Sequence, residues 1–98
     1  MPAYLIARVK VDNPTAYEEY KKLAAAAIEK HGGRYLARGG RTVTLEGTEE
    51  MARVVIVEFP SLEVAQTFFR SPDYQKAIAA RTGAATGQFV VVEGIARY

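Results

Sequence analysis

Cysteine and tryptophan are missing from the 98 residues, and histidine occurs once, as His31. Without cysteine there can be no disulfide scaffold, thiolate metal site or thiol nucleophile. One imidazole rules out the zinc motifs built on several histidines, so neither a metal nor an organic cofactor is expected. Excess charge is also scarce. Thirteen Lys and Arg stand against eleven Asp and Glu, a formal net charge of +2, too small to argue for nucleic acid. No apolar run approaches the roughly 20 residues that cross a bilayer. Met1-Pro2-Ala3 does not open a signal-peptide pattern. The phosphate-loop patterns GxxxxGK[ST] and GxGxxG do not occur. We therefore expect a cytoplasmic protein whose partners include neither membrane nor nucleic acid.

What is present is an ordinary globular mixture, 49% apolar and 24% charged, long enough for a single domain over residues 1–98. Tyr4 to Val11 alternates as a strand, with Leu5, Ala7, Val9 and Val11 on one face. Asn13-Pro14 opens a helix, since Asn caps orphan amides and Pro at the first helical position forfeits no bond. Tyr17, Tyr20, Leu23, Ala24, Ala27, Ile28 and His31 recur at spacings of three and four, and Gly32-Gly33 ends the run. Arg34 to Arg38 reads as a second strand. Gly39-Gly40 reads as a hairpin turn, with Arg41 to Glu46 as a short edge strand. Arg53 to Phe59 is nearly continuously apolar, which suggests a strand covered on both faces. Ser61 caps a helix to about Arg70. Ser71-Pro72 restarts one whose inner face is Tyr74, Ala77, Ile78 and Arg81. Gly83 and Gly87 bracket a loop before a last strand, Gln88 to Ile95.

The order β-α-β-β-α-β is the ferredoxin-like split unit: an α+β sandwich with a four-stranded antiparallel sheet in order 4-1-3-2. Helices cover one face. The other carries Ile6, Leu36, Val54 and Ile56, too apolar to face water, so two sheets packed together as a homodimer are expected.

Strand directions sort the polar residues onto two edges. One edge gathers Tyr4, His31, Arg34, Glu58 and Glu93. The other gathers Tyr17, Arg38, Arg53, Tyr74 and Arg81. His31 and Glu58 are the candidate catalytic acid/base pair. The competing readings are a helix-capping histidine and a glutamate paired with Arg34 or Arg8. Arg38, Arg81 and Tyr74 are candidates for an anion site, because arginine forks bind carboxylate or phosphate bidentately. The competing reading pairs Arg81 with Asp73 or places it at its helix end. Tyr17 and Tyr20 are either core rings or the lining of a ligand pocket.

The run from His31 to Gly40 (HGGRYLARGG), then Leu45-Glu46-Gly47, Glu58-Phe59-Pro60-Ser61, Ser71-Pro72-Asp73-Tyr74, Arg81 and Val92-Glu93-Gly94 resembles the domain-of-unknown-function 1330 family. The resemblance covers essentially the whole chain, with Phe68-Phe69 where a tryptophan is often found. It implies a dimeric α+β barrel. Relatives in that superfamily include cofactor-independent monooxygenases, muconolactone isomerase-like proteins, haem-degrading enzymes and ligand-binding regulatory domains. It also implies a ligand cleft between helices and sheet, near Tyr17, Tyr20, His31, Tyr74 and Arg81. Two functions follow as expectations. One is a monooxygenase- or isomerase-like enzyme acting on a small anionic or aromatic molecule. The other is a non-catalytic ligand-binding or stress-associated protein.

Overall fold

Three side chains set where the helices begin. In the computed structural model, which describes residues 1–95, Asn13 Oδ1 accepts from the Ala16 amide at 3.1 Å. Ser61 Oγ accepts from Val64 at 3.1 Å. Ser71 Oγ accepts from Tyr74 at 3.2 Å while donating to the Phe68 carbonyl at 2.7 Å. One hydroxyl thus closes one helix and opens the next. The elements are β1 (Ala3–Val11), α1 (Pro14–Lys30), β2 (Arg34–Arg38), β3 (Arg53–Phe59), α2 (Leu62–Arg70), α3 (Pro72–Arg81) and β4 (Ala85–Glu93). They form an open sheet in the order β2-β3-β1-β4, antiparallel at each junction. This is the expected ferredoxin-like arrangement.

The core lies between the helices and one sheet face. Leu5, Ala7 and Val9 of β1 are buried there, with Val57 and Phe59 of β3. Alanines at 24, 27 and 77 let α1 and α3 approach closely, and all three are buried. Gly33 lets the chain turn back into β2: an added Cβ would sit 2.7 Å from the Phe59 ring and 2.8 Å from Ile28.

The other face is open. Ile6, Leu36, Val90 and Val92 are 36%, 49%, 50% and 49% exposed. β3 is accordingly only half covered within the chain, with Val54 and Ile56 of intermediate burial. A helix-free apolar sheet face of this kind marks an association surface.

Two local expectations are corrected. Residues 41–46 form no strand, and Gly39-Gly40 makes no hairpin. Instead a long exposed connection links β2 to β3, with Val43, Leu45 and Met51 at 70%, 93% and 83% exposure. Its far end is fixed by side chains rather than by a strand ladder. Both guanidinium nitrogens Nε and Nη2 of Arg8 donate to Glu50, the latter at 2.9 Å, and Thr44 Oγ1 accepts from the Glu50 amide at 2.9 Å. Gly87, expected to border a loop, lies inside β4, which begins at Ala85. A Cβ there would meet the Arg8 carbonyl oxygen at 3.0 Å. Glycine in a strand here marks a close backbone approach rather than a turn.

Candidate functional site

α1 lays Tyr17, Tyr20 and Lys21 along the sheet. β2 contributes Tyr35 and Arg38, β3 contributes Arg53, and α3 contributes Tyr74. Together with Phe68, Phe89 and aliphatic residues of β1 and β3, they line a narrow cavity of about 30 Å³. That is one water's share of liquid volume. Four of the five residues that strand direction assigns to this sheet edge line the cavity: Tyr17, Arg38, Arg53 and Tyr74. Tyr20 joins them, and so do Lys21 and Tyr35, which periodicity alone did not single out.

The rings form a connected stack. Tyr17 and Tyr20 are stacked with centroids 5.0 Å apart, and Phe68 lies 4.5 Å from Tyr74. The Tyr20 and Tyr74 hydroxyls meet at 2.7 Å, both buried. Burial pushes the Tyr20 phenol pKa well up, and the adjacent Tyr74 adds to this. Burial also raises Tyr74, against the Tyr20 hydroxyl and the Arg81 guanidinium, which favour its ionised form. Tyr35 is raised by burial too, with Arg38 opposing. Tyr20, Tyr35 and Tyr74 are therefore harder to ionise than a free phenol. Its lining holds no carboxylate and no histidine.

The cations are unevenly placed. Arg38 stacks over Tyr35, 4.5 Å from the ring centroid, and its Nη2 reaches the Lys21 carbonyl at 3.4 Å. Arg53 lies 5.9 Å from the Tyr17 ring. Arg81 does not line the cavity: its guanidinium sits 5.4 Å from the Tyr20 ring and 4.8 Å from Phe89. Among the described residues, Arg53 and Arg81 each carry a buried Nε with no hydrogen-bond partner. Asp73, weighed as an Arg81 partner, instead holds Lys30 at 2.7 Å.

His31 and Glu58 stand apart from this cleft. His31 ends α1, half buried. Its Nδ1 donates to the Ala27 carbonyl at 2.8 Å, and its ring lies edge-on to Phe68. That is the geometry of a capping histidine. Glu58 accepts from Arg34 Nε at 2.8 Å. The pair lines a separate open groove of about 440 Å³ with Met1, Pro2, Gly32, Phe59 and Pro60. Among the described residues, no group of three or more His, Asp or Glu side chains could hold a metal ion.

The fold recurs in solved structures. A protein of unknown function from Rhodopseudomonas palustris superposes with a TM-score of 0.75 at 23% identity, over 98% of this chain and 84% of that one. SnoaB, a cofactor-independent oxygenase from Streptomyces nogalater, superposes at 0.68 and 14% identity, over 98% and 95% of the two chains. A dimeric protein of unknown function with a ferredoxin-like fold, from Bacteroides fragilis, gives 0.63 at 13% identity, over 95% and 96%. At these identities the likeness establishes the fold. No curated protein matches by sequence. The family model for a domain of unknown function, DUF1330, matches residues 2–95, so the chain belongs to the DUF1330 family.

Proposed function

We propose that this protein binds a small planar compound in the tyrosine-lined cleft of each subunit of a homodimer. The observation that carries this reading is the lining itself. Stacked phenol rings, with guanidinium groups at one end, form a recognition surface for an aromatic anion. The cleft lacks an acid/base pair, because the histidine and glutamate expected in that role bond elsewhere. Binding without catalysis is the reading this supports. The half-exposed apolar sheet face supports the dimer, as does the dimeric Bacteroides fragilis neighbour.

A second reading is cofactor-independent oxygenation, the activity named for the Streptomyces nogalater neighbour. The buried Tyr20–Tyr74 hydroxyl pair favours it, because two neutral phenols shielded from water can orient a substrate oxygen. In that reading His31 or Glu58 would have to leave its present partner to move a proton.

A thermal-shift screen of small aromatic compounds, followed by an oxygen electrode, separates the two. The binding reading expects a raised unfolding midpoint without oxygen uptake. Protein-dependent oxygen uptake with a bound phenol would favour the second, and no midpoint shift with any aromatic probe would defeat both. Sedimentation should show a dimer at micromolar concentration. Ile56→Asp should give a monomer or an unfolded chain, because it would bury an unpaired carboxylate.

A further inference from the structure

We infer that Arg53, assisted by Arg38, is the anion clamp of this cleft and that the ligand is a small aromatic carboxylate. The inference rests on the cleft being a binding site. It adds which end of the cleft reads charge and what chemistry the ligand must carry.

Arg53 opens β3, and its buried Nε has no hydrogen-bond partner among the described residues. A buried donor left unmade is costly, so such a group is either a defect or a site awaiting an acceptor. The surroundings favour the second. Gly39, at the end of β2, makes room for this guanidinium: a Cβ there would lie 2.2 Å from Arg53 Nη1. Gly39 also has φ +69°, a backbone conformation that favours glycine. The neighbouring Arg38 is exposed and, among the described residues, held to protein oxygen by a single 3.4 Å contact, so it can swing off Tyr35.

The rim is short of negative charge. Lys21, Arg38 and Arg53 all line the cavity. The nearby carboxylate, Glu18, is taken by Lys21 at 2.9 Å and reaches Arg53 only through its field. Among the described residues neither arginine has a carboxylate partner. Two planar forks beside aromatic walls suit a flat, bidentate acceptor joined to a ring, which is an aromatic carboxylate. A cavity of about 30 Å³ cannot hold a ring as it stands. Entry requires the exposed Arg38 to lift from Tyr35, and the incoming ring then takes its place against that face.

Arg81 stands apart. Its guanidinium lies against Tyr20 and Phe89, outside the lining, so the clamp is assigned without it.

The test is a pair of NMR titrations of the full chain, using benzoate and phenylacetate against their primary amides. The readout is the tyrosine ring resonances and the backbone amides of residues 17–24 and 35–39. The carboxylates should bind about tenfold more tightly than the amides, the size expected for one charge-assisted hydrogen bond. Arg53→Met should erase that preference while leaving amide binding unchanged. Arg53→Lys keeps the charge and the stem but loses the fork, and should fall between. It also serves as the readout if the Met variant does not fold. Equal binding of acids and amides, or a preference that survives Arg53→Met or remains undiminished in Arg53→Lys, overturns the clamp and leaves the cleft reading standing. No perturbation of the cleft by any of the four probes overturns both.

Discussion

At one edge of the sheet Arg34 meets Glu58 at 2.8 Å, His31 bonds the last turn of α1, and Lys30 meets Asp73. At the other edge Arg38 stacks on a tyrosine, and Arg53 buries a donor that no described residue accepts. Both edges hold arginines at strand ends, so residue type does not separate them. What separates them is whether the fold itself supplies the partner. Where the chain completes its own hydrogen bonds, the charged residues read as structure. Arg53 and Arg81 each bury an Nε without a hydrogen-bond partner among the described residues, but only Arg53 lines the cleft, and there the proposed ligand supplies the acceptor. Substitutions at the first edge should therefore act on stability, and those at the second on binding.

The largest effect is expected inside the cleft, where the two kinds of role overlap. Tyr74→Phe leaves the buried Tyr20 hydroxyl without a partner and should cost about 1–3 kcal/mol in urea unfolding. Adding Tyr20→Phe should recover most of that loss, because both polar groups are then gone. A double variant as unstable as the sum would show that the hydroxyl pair is not the unit described here.

At the self-satisfied edge, Ser71→Ala removes a cap shared by two helices and should cost about 1 kcal/mol without altering ligand binding. Although the Glu58 side chain is only 14% exposed, Glu58→Gln should cost less, at most about 1 kcal/mol, because Gln keeps an acceptor oxygen for Arg34, whose own end of the pair lies in solvent. A larger loss of ligand affinity than of stability in Glu58→Gln would move the functional edge to the wrong side of the sheet.

The smallest effect is one of pH. Lys30 holds the Asp73 carboxyl below its ordinary pKa, through a hydrogen bond and then through its charge. A depressed native pKa stabilises the fold above the unfolded value, near 3.9, and this is lost as pH falls through the native value. Asp73→Asn should lower stability slightly at neutral pH, where this contribution is fully present, and by less as pH falls below about 4, so the variant's acid profile is flatter than the parent's.

Much of this was legible in the sequence. The bounds of β2 and β3 were readable because glycines, caps and apolar runs border them. The sheet order follows from the element order and crossover handedness. Residues 41–46 misled because Thr, Val and Leu alternate there as in a strand. Alternation supplies a face but not a pairing partner, and the Arg8–Glu50 fork anchors the segment's end instead. Periodicity places Arg81 on the inner face of α3 with Tyr74, Ala77 and Ile78, and among the described residues its guanidinium has no carboxylate partner. Periodicity could not show that two aromatic rings would lie against it. Arg53 was assigned to the right edge but not to the ligand. Its guanidinium lies beside Gly39 and Tyr17, which are distant in sequence, so no local pattern announces its surroundings.

The comparison of the two edges comes down to the urea midpoint of Arg53→Met, measured with and without saturating benzoate beside the parent chain. Without benzoate, the account predicts a midpoint at or above that of the parent, because the variant no longer buries an unpaired donor. With benzoate, it predicts that the parent gains stability and the variant does not. A variant that is less stable alone, yet gains as much from benzoate as the parent, would contradict the account.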